Sequence, residues 1–219
     1  MIADTIQQIE RQLAGKAALI AVTKTKPVAL LQEAYDAGCR QFGENKVQEM
    51  AEKQPQLPAD VQWHIIGHLQ TNKVKYIAPF VALIQSVDSL RLLQEIDKQA
   101  ARYNRTIDCL LQIYIADEET KFGLSADEAE ALLADNALDE LSNIRIIGLM
   151  GLATNTDDQE QVRQEFRGLK ALYDKLAQIQ RSMIQFSELS MGMSGDYLLA
   201  VEEGSTMVRV GSAIFGSRN

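Results

Sequence analysis

Met207-Val208-Arg209-Val210-Gly211-Ser212 is the last of eight short apolar runs, and its place at the end of an alternating series decides the fold. The seven runs before it are Ala18–Lys24, Gln41–Gly43, Gln62–Gly67, Val81–Val87, Ile107–Ile115, Ile144–Leu152 and Phe186–Met191. Several are continuous in Val, Ile and Leu, as parallel strands covered on both faces require. Between them lie stripes at helical spacing: Val28, Leu31, Ala34 and Tyr35; Leu90, Leu93, Ile96, Ala100 and Tyr103; and Val162, Phe166, Leu169, Leu172, Leu176 and Ile179. Strands that alternate with helices imply right-handed βαβ units and a parallel sheet. Eight such units predict an α/β fold of the (β/α)8 TIM barrel type. An open doubly wound sheet is the alternative, but no GxGxxG follows the first run. The chain stops at Asn219, too soon after Ser212 for a full eighth outer helix. Residues 1–14 carry Ile2, Ile6, Ile9 and Leu13 at helical spacing. They are predicted to form an extra N-terminal helix that packs outside the barrel, between its first and seventh helices.

A length of 219 residues suits one barrel domain over 1–219, since such barrels run to about 200–250 residues. Apolar residues make up 46%, ordinary for a chain with a real core. The net charge of -8 repels a phosphate backbone on average, so nucleic acid is not expected as a partner. Cys39 and Cys109 sit apart in apolar runs, with no CxxC, and read as buried free thiols of a reducing cytoplasm. Asp4 and Glu10 interrupt any signal-peptide pattern, and no apolar run approaches the ~20 residues of a membrane span. A cytoplasmic protein without a membrane partner is expected.

Active sites of such barrels lie at the C-terminal ends of the strands. The first strand ends in Val22-Thr23-Lys24-Thr25-Lys26-Pro27, with Pro27 suited to the start of a helix. Lys24 at that mouth is a candidate amine nucleophile, partly desolvated and next to another cation, or else an ordinary solvated lysine. The second strand leads into Glu44 and Asn45, which can hold the lysine or a ligand oxygen by hydrogen bonds, the alternative being that Asn45 caps a helix. His64 and His68 lie four apart across a strand and loop without a third ligand nearby, so no metal site is expected. Ser194, after the seventh strand, and Gly211-Ser212, after the eighth, are small residues whose backbone N–H groups can approach an anion. Phosphate sites recur at that place in barrels. Arg209 needs an acceptor, either a carboxylate in a structural ion pair or a ligand ring nitrogen.

Five segments together resemble the pyridoxal phosphate homeostasis protein family, whose fold is similar to the N-terminal barrel of alanine racemase. They are AVTKTKP from Ala21, FGEN from Phe42, WHIIGHLQTNK from Trp63, SELSMGMSGDY from Ser187 and GSTMVRVGSAIFG from Gly204. The resemblance implies pyridoxal 5′-phosphate as cofactor, held as a Schiff base on Lys24. It implies that Asn45 lies in a segment lining the cofactor, that Ser194, Gly211 and Ser212 bind its phosphate, that Arg209 faces its pyridine nitrogen and that Met150 lines the pocket. Tyr114 departs from the pattern, standing where many relatives carry a smaller polar residue.

An arginine opposite the ring nitrogen keeps that nitrogen unprotonated and weakens the ring as an electron sink. Racemases of this fold add a second base, a tyrosine from a separate domain of a partner subunit, for which this sequence has no room. The resemblance therefore implies no catalytic residue in the strict sense. It implies a monomer that handles free pyridoxal phosphate and balances amino- and keto-acid pools, with apo-forms of enzymes using that cofactor as candidate partners. The competing expectation is a monomeric amino-acid racemase or lyase with Tyr114 or Tyr197 as second base. A third is a sugar-phosphate barrel enzyme without a cofactor.

Overall fold

The structure, a computed structural model, describes residues 1–116 and 122–216. Eight strands pair in chain order, all parallel: β1 (Ala18–Val22), β2 (Gln41–Glu44), β3 (Gln62–Ile65), β4 (Leu83–Val87), β5 (Ile107–Tyr114), β6 (Ile144–Leu152), β7 (Ile184–Met193) and β8 (Met207–Val210). β8 returns to β1 in a register running from Ala18 opposite Met207 to Ala21 opposite Val210, which closes the barrel. Closure leaves no sheet edge, and it excludes the open doubly wound alternative.

Alternate residues of each strand face inward. Ile20, Leu83, Leu110, Met150 and Met207 meet there as an interior cluster. The outward residues of the strands pack under a ring of helices in a second, larger core. Where β6 meets β7, Gly148 adopts a φ of 153°, and a Cβ on it would lie 1.6 Å from the Glu188 carbonyl oxygen. Only glycine admits that approach, and the register of the two strands shifts there.

The outer layer comprises α2 (Val28–Asp36), α3 (Val47–Lys53), a 3₁₀ turn over Thr71–Tyr76, α4 (Leu90–Arg102), α5 (Ala126–Ala134), α6 (Gln159–Leu176), α7 (Tyr197–Glu202) and α8 (Ser212–Phe215). The opening helix α1 (Ile2–Leu13) buries Ile2, Ile6, Ile9 and Leu13. It packs on β1 and against α2, α7 and α8. The Tyr197 hydroxyl donates to Gln12 Oε1 at 2.6 Å and ties α7 to α1. α8 covers only four residues, and α1 packs beside it over β1 while α7 packs on β8.

Element boundaries differ from the apolar runs in consistent ways. β1 stops at Val22, because Thr23–Thr25 form a turn with Thr25 at a φ of 62°. β8 stops at Val210, and Ser212 already opens α8. β7 begins two residues before Phe186, at Ile184. Both cysteines are buried and free. Among the described residues, no helix is long and apolar enough to cross a membrane.

Candidate functional site

The strand ends open into a cavity of about 560 Å³ at the C-terminal mouth of the barrel. Lys24, Thr25 and Lys26 enter it after β1, Asn45 after β2, Ser194 and Gly195 after β7, and Arg209, Gly211 and Ser212 from β8 and its turn. Six of the seven residues expected at the site thus share one wall system. Met150 lies deeper: it is fully buried in the barrel interior beside Ile20 and Leu110, below the residues that line the cavity. Its strand position points its side chain to the core, while Leu152, two residues further on, reaches the wall. Ile66, Ala116, Ala153, Asn155 and Met193 complete the apolar and polar lining that sequence reading missed.

The turn carrying Lys24 is held by buried groups. The Thr23 hydroxyl donates to Glu44 Oε1 at 2.6 Å, and Lys53 Nζ donates to the Thr23 carbonyl at 2.8 Å. Glu44 is fully buried. Burial pushes its carboxyl up from the ordinary range, against the lowering influence of hydrogen bonds from Lys53 and Thr23. Lys26 directs its Nζ to the carbonyls of Phe215 and Gly216, at 3.1 Å each.

Asn45 does not cap the following helix: Lys46 occupies the N-cap of α3. Among the described residues the Asn45 side chain makes no hydrogen bond, which leaves its amide to the cavity. Gly67 matters to it, because a Cβ there would lie 2.5 Å from the Asn45 carbonyl oxygen.

Arg209 is 3% exposed and makes no ion pair among the described residues. Its guanidinium donates to Ser190 Oγ at 2.5 Å and to the Gly151 carbonyl at 2.8 Å. Burial lowers its pKa to about 10, and Asp196 acts in the opposite direction. Two of its five N–H groups are used in this way, and the residue still faces the cavity. Behind it, Ser190 Oγ donates to Gln85 Oε1 at 2.6 Å, and Gln85 Nε2 meets His64 Nδ1 at 3.0 Å. His64 therefore belongs to a buried relay, and desolvation lowers its pKa to about 4. His68 lies exposed in the loop beyond β3, 3.4 Å from Asp88. No group of three or more metal-ligating side chains occurs among the described residues.

At the other side of the mouth, Ser194 Oγ accepts the N–H groups of Gly211 and Ala213, at 3.2 and 3.4 Å. The ends of β7 and β8 are thereby joined in one small-residue cradle. A Cβ on Gly211 would stand 3.1 Å from Val22, so close packing of β8 on β1 also favours glycine there. A second cavity of about 550 Å³, with Asp108, Arg145 and Glu188 on its wall, opens at the N-terminal ends of β5–β7. That end of a barrel is ordinarily structural. Arg145 there is paired with Asp108 at 2.7 Å.

An amine, a buried guanidinium, an amide and the Ser194 hydroxyl with the small residues of the β8 turn surround one volume. The alanine racemase N-terminal domain family matches residues 1–219. The pyridoxal phosphate homeostasis protein of Aquifex aeolicus is 41% identical over 204 residues, covering 92% of this chain and 87% of that protein. The chain belongs to the pyridoxal phosphate homeostasis protein family. Another member of the family, from Escherichia coli K12, is 38% identical over 205 residues, covering 92% of this chain and 86% of that one. PipY of Synechococcus elongatus, solved without pyridoxal phosphate, superposes with a TM-score of 0.91 at 37% identity, over 99% of this chain and 100% of that one. Its form with the cofactor bound gives a TM-score of 0.89 at 36% identity, with the same coverage. An alanine racemase of Clostridium difficile, 12% identical with a TM-score of 0.79, shares the fold of these homeostasis proteins over 99% of this chain and 56% of its own.

Proposed function

We propose that this protein binds pyridoxal 5′-phosphate at the barrel mouth and serves the intracellular homeostasis of that cofactor and the balance of amino- and keto-acid pools. The whole chain, 1–219, acts as one cofactor-binding barrel domain. The observation that carries this reading is the convergence of Lys24, Arg209 and the Ser194–Gly211 cradle on one cavity of about 560 Å³. Bound there, the cofactor supplies an aldehyde for a lysine Schiff base and an electron-withdrawing pyridine ring.

The donor set fits such a group. Lys24 supplies the amine, and Ser194 with the backbone of Gly211 and Ser212 supplies hydrogen bonds to a phosphate. Arg209 supplies N–H donors to a ring nitrogen, and Asn45 an uncommitted amide. A donor-only arginine leaves the ring nitrogen unprotonated, so the site holds the cofactor with little or no turnover. Two tyrosines are the sequence's candidates for a second base. Tyr197 turns its hydroxyl to Gln12 on α1, and neither it nor Tyr114 lines the cavity. Both observations weigh against the racemase or lyase reading. In this reading the protein is a cytoplasmic monomer, with apo-forms of enzymes that use the cofactor as candidate partners.

The test is an absorption spectrum of the purified protein after incubation with the cofactor, followed by borohydride reduction and mass measurement. A yellow protein whose adduct becomes irreversible on reduction supports the reading. A protein that stays colourless and unmodified overturns it. Deuterium exchange at the α-carbon of a panel of amino acids then separates a holding protein from a racemase.

A further inference from the structure

Lys53 is 6% exposed, an unusual place for a lysine. A lysine ammonium has three N–H donors, and each has an acceptor here: Glu44 Oε1 at 2.7 Å, Glu49 Oε1 at 2.6 Å and the Thr23 carbonyl at 2.8 Å. The two carboxylates also reach the β1 turn directly. Glu44 Oε1 accepts the Thr23 hydroxyl at 2.6 Å, and Glu49 Oε1 accepts the Thr25 backbone N–H at 2.5 Å. One charged cluster on β2 and α3 thus grips the residues immediately before and after Lys24.

The grip matters because the turn does not hold its own shape. Thr25 is β-branched and sits at a φ of 62°, a strained conformation that such residues rarely adopt unless the surroundings impose it. Buried ion pairs contribute little net stability, since desolvation offsets their attraction. Their geometric effect is more definite than their energetic one.

We propose that Lys53 is the positioning residue of this turn: with Glu44 and Glu49 it fixes the backbone on both sides of Lys24 and so fixes where the Lys24 amine stands in the cavity. The inference rests on the reading of Lys24 as the covalent anchor.

The test compares pyridoxal 5′-phosphate with 4′-deoxypyridoxine 5′-phosphate, which keeps the ring and the phosphate but has a methyl group in place of the aldehyde. Only the first ligand depends on the Lys24 amine. Affinities are measured for the wild type, for Lys53→Met combined with Glu44→Gln, for Glu49→Leu and for Glu49→Gln. The double substitution avoids leaving a buried carboxylate without its cation. Circular dichroism reports the fold of each. In the double variant and in Glu49→Leu, affinity for the aldehyde ligand falls about ten- to a hundred-fold, while affinity for the deoxy ligand stays within about two-fold. Glu49→Gln keeps an oxygen acceptor for the Thr25 N–H and recovers most of the loss. Should the double variant fail to fold, Glu49→Leu decides alone. Equal loss of both ligands, or loss of neither, overturns the proposal. A wild type that forms no borohydride-stable adduct, or forms it equally after Lys24→Ala, overturns the underlying reading of Lys24 instead.

Discussion

Arg209 donates an N–H to the hydroxyl of Ser190 at 2.5 Å, deep inside the barrel. The hydroxyl has one proton, and that proton goes on to Gln85 Oε1 at 2.6 Å. The amide end of Gln85 then donates to His64 Nδ1. Every donor in this relay has one acceptor, so the orientation of the guanidinium is fixed by residues on β3, β4 and β7. A ring placed over Arg209 meets an arginine already held in place.

Ser190→Ala breaks this relay at its middle. It removes the acceptor of a buried guanidinium N–H and the donor to a buried amide oxygen. Leaving such groups unpaired costs about 1–3 kcal/mol each, so the variant loses stability on that scale. Urea unfolding followed by circular dichroism measures it. Cofactor affinity falls as well, because Arg209 is no longer oriented. A variant as stable as the wild type shows that water replaces the hydroxyl without loss.

His64 makes the relay sensitive to pH. Its pKa is about 4 when folded, against an ordinary 6.5. Between those values the unfolded chain binds more protons than the folded one, so stability rises with pH and is lost as pH falls from 6.5 toward 4. From pH 7 to pH 5 this amounts to about 2 kcal/mol. Glu44, pushed upward by burial, works in the opposite direction, so the wild-type curve alone does not isolate His64. The comparison with His64→Gln does: its unfolding free energy falls less on acidification, by about 2 kcal/mol. Parallel curves for the two proteins exclude the assignment.

Ser194→Ala tests the anion cradle. The Ser194 oxygen accepts two backbone N–H groups from the β8 turn and lies at the cavity wall. Its hydroxyl donates to a phosphate in the proposed site. Loss of one charge-assisted hydrogen bond weakens pyridoxal 5′-phosphate by about 1.5–3 kcal/mol, one to two powers of ten. Pyridoxal without its phosphate is unaffected. Equal weakening of both ligands, measured by titration, places the phosphate elsewhere.

The barrel was legible because apolar runs and helical stripes alternate with different periods, and that alternation survives single-residue errors. Five cavity residues were legible because each follows a strand end, where barrels place their sites, and Arg209 because an arginine inside the last strand needs an acceptor. The depth of Met150 was not legible, because its residue type suits both a core and a wall. Met150 and Leu152 share the inward side of β6, so depth along the barrel, and not the alternation, separates core from wall. Of the Lys53–Glu44–Glu49 cluster only Glu44 was legible, at the end of the second strand. Glu49 and Lys53, four apart, look like the solvated side of a helix, and their part in the cluster depends on how α3 folds back on β2. The Ser190–Gln85–His64 relay was hidden for a similar reason, since its members are far apart in the chain and meet only when the barrel closes.

The last prediction separates Lys24 from its neighbour. Ile20 faces the barrel interior, Val22 reaches the cavity wall, and Lys24, in the turn that follows the strand, lines the mouth. Lys26 lines the same cavity, but its Nζ is directed to the carbonyls of Phe215 and Gly216 at the end of α8, where a cation is favoured. An amine engaged there cannot reach an aldehyde without releasing that helix end. Borohydride reduction of the loaded protein, followed by peptide mapping, therefore finds the adduct on Lys24. Lys24→Ala abolishes the Schiff-base absorption band, and Lys26→Ala keeps it while loosening the α8 contact. The deoxy ligand provides the control, because it binds to Lys24→Ala through ring and phosphate alone. An adduct mapped to Lys26, Lys46 or Lys73 would move the anchor, and with it the role assigned to the β1 turn.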